Sequence, residues 1–406
     1  MTTAVTSDDF VAVQPRADGP GLYAGAIVFG VGLCIRLWLI HWFPVIFGGD
    51  SIVRLANKDR ILLSYQLPLL QAVIHWLSAW SNDPVVVRYF MALAGAAAGL
   101  AFYALACSLL GRTAGFQTGL LFASSPFVVA FSIVPYQEIL MLAGLFSAFY
   151  FVFERKWMVA AACLGLACMT RYEAWLACPV LGFAYLFEKG FGPLQIAKAA
   201  ALFGWAPLGW VAFHGGVTPE GTYAAELSFS FERFFRYIYL AWIAVKNTPP
   251  PVLLLAVFGT WMVWKRRLIS DRRYRILVSF LLLFLAAVLV SAHGERDQPE
   301  RFVTAREAHV LLAATVLAAG VGLASLDVNR ANHVSKSKLS ERPFSARTLS
   351  ASRWVFVLGS GLIGTWMAYG FVANETSQPL RQCSLHSFFW ALPSLIARET
   401  CMLDEC

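Results

Sequence analysis

The 406-residue chain is 58% hydrophobic and only 14% charged, with a formal net charge of +8. A soluble domain carries roughly 25% charged residues, so a chain this apolar cannot cover its surface with polar groups, and lipid must be part of its solvent. That excludes an ordinary soluble enzyme. The basic balance would suit nucleic acid, but the placement of the charges speaks against such a partner.

Residues 1–20 are polar and contain no apolar core. No cleavable signal peptide is expected there. The segment reads as a cytoplasmic tail, followed by an uncleaved signal-anchor. A bilayer core takes about 20 apolar residues per helix. On that measure the chain reads as all-α, a polytopic transmembrane helix bundle of about eleven spans. These fall at 21–43, 84–110, 115–134, 137–153, 157–170, 174–188, 194–214, 250–264, 276–292, 308–326 and 354–373. The membrane domain thus covers 21–373, with residues 44–83 as a long first outer loop containing interfacial helices, and 374–406 as a short tail. Arg36, inside the first span, is expected to snorkel or pair.

Orientation follows from Lys and Arg in the loops. With the N-terminus cytoplasmic, the inside loops include Lys265–Arg275, with six bases and one acid, and Asp327–Arg353, with six bases and two acids. The outside segments are different: Pro44–Asp83 balances three bases with three acids, and Ser291–His309 holds three bases and four acids. The basic balance is therefore a topology signal in an integral protein of the cell (inner) membrane, and no nucleic acid is expected. An odd number of spans puts the C-terminus outside, where Cys383 pairs with Cys401 or Cys406, or all three remain free thiols. Cys34, Cys107, Cys163, Cys168 and Cys178 lie in apolar segments and read as small hydrophobes.

Candidate chemistry collects in the outer turns. A loop as long as 44–83 is uncommon without structure or function of its own. It opens Phe47-Gly48-Gly49-Asp50-Ser51, where glycines allow close backbone approach. Asp50 reads either as a general base at the mouth of an apolar cavity or as a helix N-cap. Tyr65-Gln66-Leu67-Pro68 follows, then an apolar stretch with His75, Trp76 and Trp80. Glu138 starts the fourth span after Pro135, where the helix dipole favours a carboxylate; it also suits binding of sugar hydroxyls. The turn Thr170-Arg171-Tyr172-Glu173-Ala174-Trp175 puts an arginine and a glutamate between two spans. They either pair with each other at the interface, or Arg171 offers its planar fork to a phosphate. The mixed-charge stretch 293–307 reads mostly as a solvated loop, with Arg301 the one candidate ligand contact. No P-loop, paired CxxC, HExxH or Gly-x-Ser-x-Gly is present, and the scattered histidines argue against a zinc site.

At these residues the chain resembles the GT-C superfamily of membrane glycosyltransferases, and within it the protein O-mannosyltransferase and aminoarabinose-transferase type, glycosyltransferase family 39-like. Asp50 matches the catalytic acid that opens the family's long first outer loop. Leu67-Pro68-Leu69 matches part of a His-Pro-Pro-Leu motif whose histidine is absent. Pro135 with Glu138 matches an acid after proline, and Arg301-Phe302 is similar to an Arg-Tyr element. Asp50 is followed by Ser51, where many members have paired acids, and the large C-terminal soluble domain is absent. The resemblance implies a polyprenyl-phosphate-linked sugar donor taken from membrane lipid, and an envelope glycan, lipid or protein as acceptor. It implies Asp50 as the base of an inverting transfer, with Glu138, Arg171, Tyr172, Glu173, Tyr65 and Arg301 binding substrate or donor. No cofactor and no metal are predicted, since a monophosphate donor needs none, although a divalent ion is compatible with the chemistry. The rival readings are a transporter or flippase of a lipid-linked precursor, whose charges would sit near the midplane, and a non-catalytic assembly partner.

The charge pattern sets a topology test. Trypsin is expected to cut the 265–275 run in inside-out vesicles and to spare it in right-side-out ones. Cleavage from the opposite side reverses the orientation.

Overall fold

The structure, a computed structural model, describes residues 20–47, 49–63, 66–214, 226–227, 241–292, 308–336 and 344–377. Among these the chain is helical throughout, apart from a two-residue antiparallel pair, Glu226–Leu227 with Ser291–Ala292, and an isolated bridge between Leu63 and Gln66. The long helices are α1 (Leu22–Trp42), α4 (Pro84–Leu110), α10 (Pro193–His214), α14 (Ala308–Lys336) and α15 (Phe344–Ser377). The rest are α2 (Gly49–Ala56), α3 (Pro68–Trp80), α5 (Arg112–Ala123), α6 (Pro126–Phe131), α7 (Gln137–Phe153), α8 (Trp157–Cys168), α9 (Ala177–Lys189), α11 (241–246), α12 (Pro250–Lys265) and α13 (Arg272–Val290).

Among the described residues, five helical stretches are long and apolar enough to cross a membrane: Leu22–Trp42, Pro84–Leu110, Pro193–His214, Ala308–Leu326 and Ala351–Ala373. The apolar helices α7, α8 and α12 are shorter. Each of the eleven expected segments contains helix, but two of them are not single helices. The segment expected at 174–188 begins with a 3-10 turn, Tyr172–Leu176, before α9. The segment expected at 115–134 is broken into α5 and α6 by Ser124 and Ser125. Pro126 causes the break: it supplies no N–H, and it is well placed at the first turn of a new helix. Pro68, Pro84 and Pro250 likewise open α3, α4 and α12.

A break inside an apolar bundle leaves carbonyls that lipid cannot satisfy. Here every one of the last four of α5 has a partner. Ser124 takes Leu120 O through its N–H at 3.1 Å and Leu121 O through its hydroxyl at 3.4 Å, and the Ser125 N–H takes Phe122 O at 3.0 Å. Ala123 O accepts from Arg36 Nη1 at 3.1 Å. The same guanidinium donates from Nη1 to Gly32 O and from Nε to Ser132 Oγ, each at 2.6 Å. Arg36 is 0% exposed, so it neither snorkels nor forms an ion pair among the described residues. It closes the helix break instead, its charge set against the partial negative charge of carbonyls at a helix C-terminus. A second buried arginine, Arg88 in the first turns of α4, donates from Nε to Ile133 O at 2.9 Å. Between them the two arginines hold both ends of the stretch 123–133.

Close helix packing makes room for this. Gly111, at φ 81°, turns α4 directly into α5, and Gly115 and Gly119 let α5 lie against Cys107 and Tyr103 of α4. Such small-residue rows replace the hydrophobic drive that lipid removes. α4 also packs on α1 and α7, α12 on α14, and α15 on α6. The five residues Phe127–Phe131 of α6 are all buried, and the ring of His309, at the start of α14, packs tilted against Phe127 and edge-on against Phe131, with centroids 4.5 and 5.1 Å away.

Gly95 lies where α4 passes the Arg36 head group. A Cβ there would strike Arg36 Nε and come within 2.5 Å of Ser132 Cβ. Gly95→Ala is therefore expected to lower thermal stability in detergent by about 1–3 kcal/mol, the usual cost of overpacking. Gly30→Ala, with nothing within 4 Å of the added carbon, is expected to leave the midpoint unchanged. Equal midpoints for the two variants would remove the steric role given to Gly95.

Candidate functional site

The stretch held by Arg36 and Arg88 leads straight into α7. Tyr136 caps that helix and Glu138 is its second residue, in the first turn, where the helix dipole favours a carboxylate. Glu138 is completely buried. Its Oε1 accepts from Arg171 Nη1 at 2.5 Å. Arg171 comes from the turn between α8 and α9, and it also holds Glu173, two residues on. Its Nε lies 3.0 and 2.9 Å from the two Glu173 oxygens, and Nη2 makes a further short bond to Oε1. Both readings offered by the sequence are thus present together. Arg171 does pair with Glu173, and the same guanidinium reaches across 33 residues to Glu138.

The burial of the three side chains is graded: Glu138 1% exposed, Arg171 13% and Glu173 22%. Glu138 and Arg171 form a nearly desolvated pair, while Glu173 occupies the more open side. Tyr172 sits between them in sequence. Its ring packs against Trp175 at 5.1 Å, its phenol oxygen is hydrogen-bonded by Trp210 of α10, and burial pushes its pKa up to about 12. It is a neutral phenol through the physiological range. Trp175 Nε1 donates to Cys168 O at 2.9 Å, and Thr170 is buried with its hydroxyl on Ala167 O at 2.5 Å. These bonds fix the turn on α8.

The first long loop is built onto this turn. The Leu69 N–H, at the start of α3, donates to Met169 O at 3.0 Å. Gln71 Nε2 of α3 donates to Arg54 O and Asn57 O at 3.2 and 2.8 Å, and His75 Nδ1 lies 3.0 Å from Lys58 O. These bonds clamp α3 to the end of α2. Arg54 of α2, 1% exposed, donates from Nη2 to Gln137 Oε1 at 2.8 Å. Gln137 is the neighbour of Glu138. Asp50 is the second residue of α2, one turn before Arg54. Residues four apart share a helix face, with Cβ atoms about 5–6 Å apart. The face of Asp50 and Arg54 is therefore the one turned to the start of α7, and Ser51, fully buried, lies beside it. On the other side Ile52 and Val53 are exposed. α2 is an amphipathic helix whose polar face points into the protein and whose apolar face points out.

Of the residues singled out from sequence, Glu138, Arg171 and Glu173 meet directly, Tyr172 flanks them, and Asp50 stands on the helix docked beside them. Tyr65 and Arg301 lie outside the described residues, as do Cys383, Cys401 and Cys406. Sequence reasoning passed over Arg54, Gln137, Gln71 and Trp210. The pattern of α2 held a signal: polar residues at 50, 51 and 54 against apolar ones at 52, 53 and 56 mark two faces. Trp210 had none, because nothing local to α10 ties it to a turn nearly forty residues earlier. Among the described residues no group of three or more His, Cys, Asp or Glu side chains is arranged to hold a metal ion.

This fold is similar to that of a solved oligosaccharyltransferase. The chain superposes on the apo crystal structure of the Archaeoglobus fulgidus oligosaccharyltransferase with a TM-score of 0.50 at 14% identity, covering 88% of this chain and 56% of that one. A second structure, archaeal oligosaccharyltransferase AglB from Archaeoglobus fulgidus in complex with an inhibitory peptide and a dolichol-phosphate, gives a TM-score of 0.49 at 13% identity, over 87% of this chain and 56% of that one. The chain thus spans little more than half the length of these proteins. The family model for dolichyl-phosphate-mannose-protein mannosyltransferase matches residues 66–207. The resemblance to GT-C enzymes of the protein mannosyltransferase type therefore stands, and the matched segment contains Glu138, Arg171, Tyr172 and Glu173. No curated protein matches the chain.

The buried pair gives a stability test. Arg171→Met leaves Glu138 desolvated without its guanidinium and is expected to cost about 3–5 kcal/mol in thermal unfolding. Glu173→Gln, on the more open side, is expected to cost about 1 kcal/mol or less. The double variant Arg171→Met/Glu138→Gln is expected to recover part of the first loss, because no buried charge is then stranded. Equal costs for the two single variants would contradict the graded burial.

Proposed function

We propose that the protein transfers a sugar from a polyprenyl-phosphate donor to an envelope acceptor, whether lipid, glycan or protein, on the outer face of the membrane. The observation that carries this reading is the meeting of Arg171 with Glu138 and Glu173 beside the Asp50 face of α2, largely inside the segment matched by the mannosyltransferase family. In this reading Asp50 removes the proton from the acceptor hydroxyl as that oxygen attacks the anomeric carbon from the side opposite the phosphate. The configuration inverts, and the polyprenyl phosphate departs with the electron pair of the broken C–O bond.

The engagement of Arg171 refines its role. Its donors are shared between two carboxylates, so an incoming phosphate must compete with one of them. Glu138 is sealed and does not yield; Glu173 is the more open partner and is the one a phosphate displaces. Arg171 then keeps a fixed anchor on Glu138 while its outer edge stabilises the leaving group, in the planar bidentate manner that guanidinium favours. Arg54 and Gln137 hold α2, the helix that carries Asp50, against the start of α7. Tyr172, neutral and fixed by Trp210, lines the same turn. Tyr65 and Arg301 are kept as donor or acceptor contacts on the strength of the sequence resemblance alone.

The test is transfer of labelled sugar from a polyprenyl-phosphate donor in membranes containing the protein. Asp50→Asn is expected to lower the rate by roughly 10²–10⁴-fold, the usual contribution of a general base, with protein level and thermal midpoint unchanged. Wild-type rates in that variant would take Asp50 out of the mechanism. No transfer by the wild type, together with ATP- or gradient-driven movement of the lipid-linked precursor, would favour a flippase.

A further inference from the structure

The turn that carries Arg171 is bracketed by two thiols. Cys168 is the last residue of α8, Cys178 the second of α9, and their Sγ atoms lie 3.6 Å apart. Both are free thiols. Cys168 is buried and Cys178 half-buried, so a reagent meets Cys178 first. The sulfurs are already in van der Waals contact. A disulfide needs them at about 2.05 Å, and the remaining approach is on the scale of a side-chain rotation. Two cysteines read from sequence as separate small hydrophobes are thus one dithiol.

We propose that Cys168 and Cys178 form an oxidisable pair that closes into a disulfide across the base of the Arg171–Glu173 turn. The oxidant is a disulfide of a small thiol. The Cys178 thiolate attacks one of its sulfurs, the S–S bond breaks, and one small thiol leaves after taking up a proton. The Cys168 thiolate then attacks the Cys178 sulfur of the mixed disulfide and expels the second small thiol. Two protein thiols lose two electrons and two protons, and the oxidant gains both as two reduced thiols. Exposure sets the order of attack. The loop that closes holds Arg171, Tyr172 and Glu173, so the bond fixes the turn independently of its ion pairs. The thiol chemistry stands without the transferase reading. Only its link to catalysis rests on that reading.

The test uses the purified full chain in detergent, incubated with oxidised glutathione, then denatured, alkylated and mapped by peptide mass. The expected result is a cross-linked pair of peptides containing Cys168 and Cys178, lighter by two hydrogens, with Cys107 and Cys163 still alkylated. Recovery of both Cys168 and Cys178 in alkylated form overturns the proposal. So does an adduct that stops as a glutathione mixed disulfide on Cys178 with Cys168 alkylated. Cys168→Ser is expected to stop at that adduct, because the resolving thiol is gone; an adduct-free Cys178 in this variant contradicts the assigned order. Oxidation is also expected to raise the thermal midpoint of the wild type and not that of Cys178→Ser. An unchanged wild-type midpoint overturns the claim that the bond fixes the turn.

Discussion

An arginine buried away from water must be given acceptors by the protein, because the hydrocarbon around a membrane bundle offers none. That requirement organises the centre of this fold. Arg36 donates to Ala123 O and Ser132 Oγ and Arg88 to Ile133 O, and Arg171 takes the carboxylate at residue 138. The three cations come from α1, α4 and the α8–α9 turn, and all three act on one continuous piece of chain. A helix broken in mid-bundle would ordinarily be a weakness. Here the break supplies the oxygens that make the burial of Arg36 tolerable, and Arg36 supplies the donor that makes the break tolerable. Each feature supplies a partner the other needs, and the stretch they join leads into the helix that carries Glu138.

The same logic divides the labour around Arg171. An exposed ion pair contributes little, because water competes for both partners. A desolvated one is costly to break, because a single charge is then left without solvent or partner. Arg171 meets one carboxylate that is sealed and one that is more open, at 1% and 22% exposed. Glu138 determines where the guanidinium sits; Glu173 completes its coordination at low energetic commitment. A group held in this way can keep its position while exchanging one ligand, which is the property the proposed transfer asks of Arg171.

Much of this was legible in the sequence, for identifiable reasons. The apolar segments, the long first loop with α3 inside it, and the clustering of Asp50, Glu138 and Arg171 at turns all follow from local composition. The broken third segment was less visible. Its two serines and Pro126 are present in the sequence, but an apolar window averages over them, and the partner that stabilises the break is 87 residues away. The contacts Arg171–Glu138 and Arg54–Gln137 are likewise long-range, and sequence spacing carries no record of them. Arg171 could be recognised as expensive near lipid, and its near neighbour Glu173 as a partner. That a second carboxylate would reach it from another helix depends on how α7 packs on α8. The segment between α10 and α12 was passed over altogether, although Gly215, Gly216, Pro219 and Gly221 punctuate it much as Gly48 and Gly49 punctuate the first loop.

The orientation of α2 has a bearing on how a ligand would arrive. Ile52 and Val53 face outward, and Trp76 and Trp80 of α3, both exposed, pack against each other at a tilt with centroids 5.2 Å apart. Such a surface is stable only where lipid or its headgroup boundary covers it, and paired tryptophans favour that boundary. The polar face of the same helix carries Asp50, Ser51 and Arg54 toward Gln137. Across the width of one helix, about 10 Å, the surroundings pass from lipid to a buried ionic cluster. A water-soluble substrate gains nothing from that adjacency. A molecule with an apolar tail and a charged head gains from both sides of it, since its tail need never leave lipid while its head reaches the ionic groups. The inward polar face of α2 is therefore the feature of the fold that most directly favours the lipid-linked donor proposed for the cluster around Arg171.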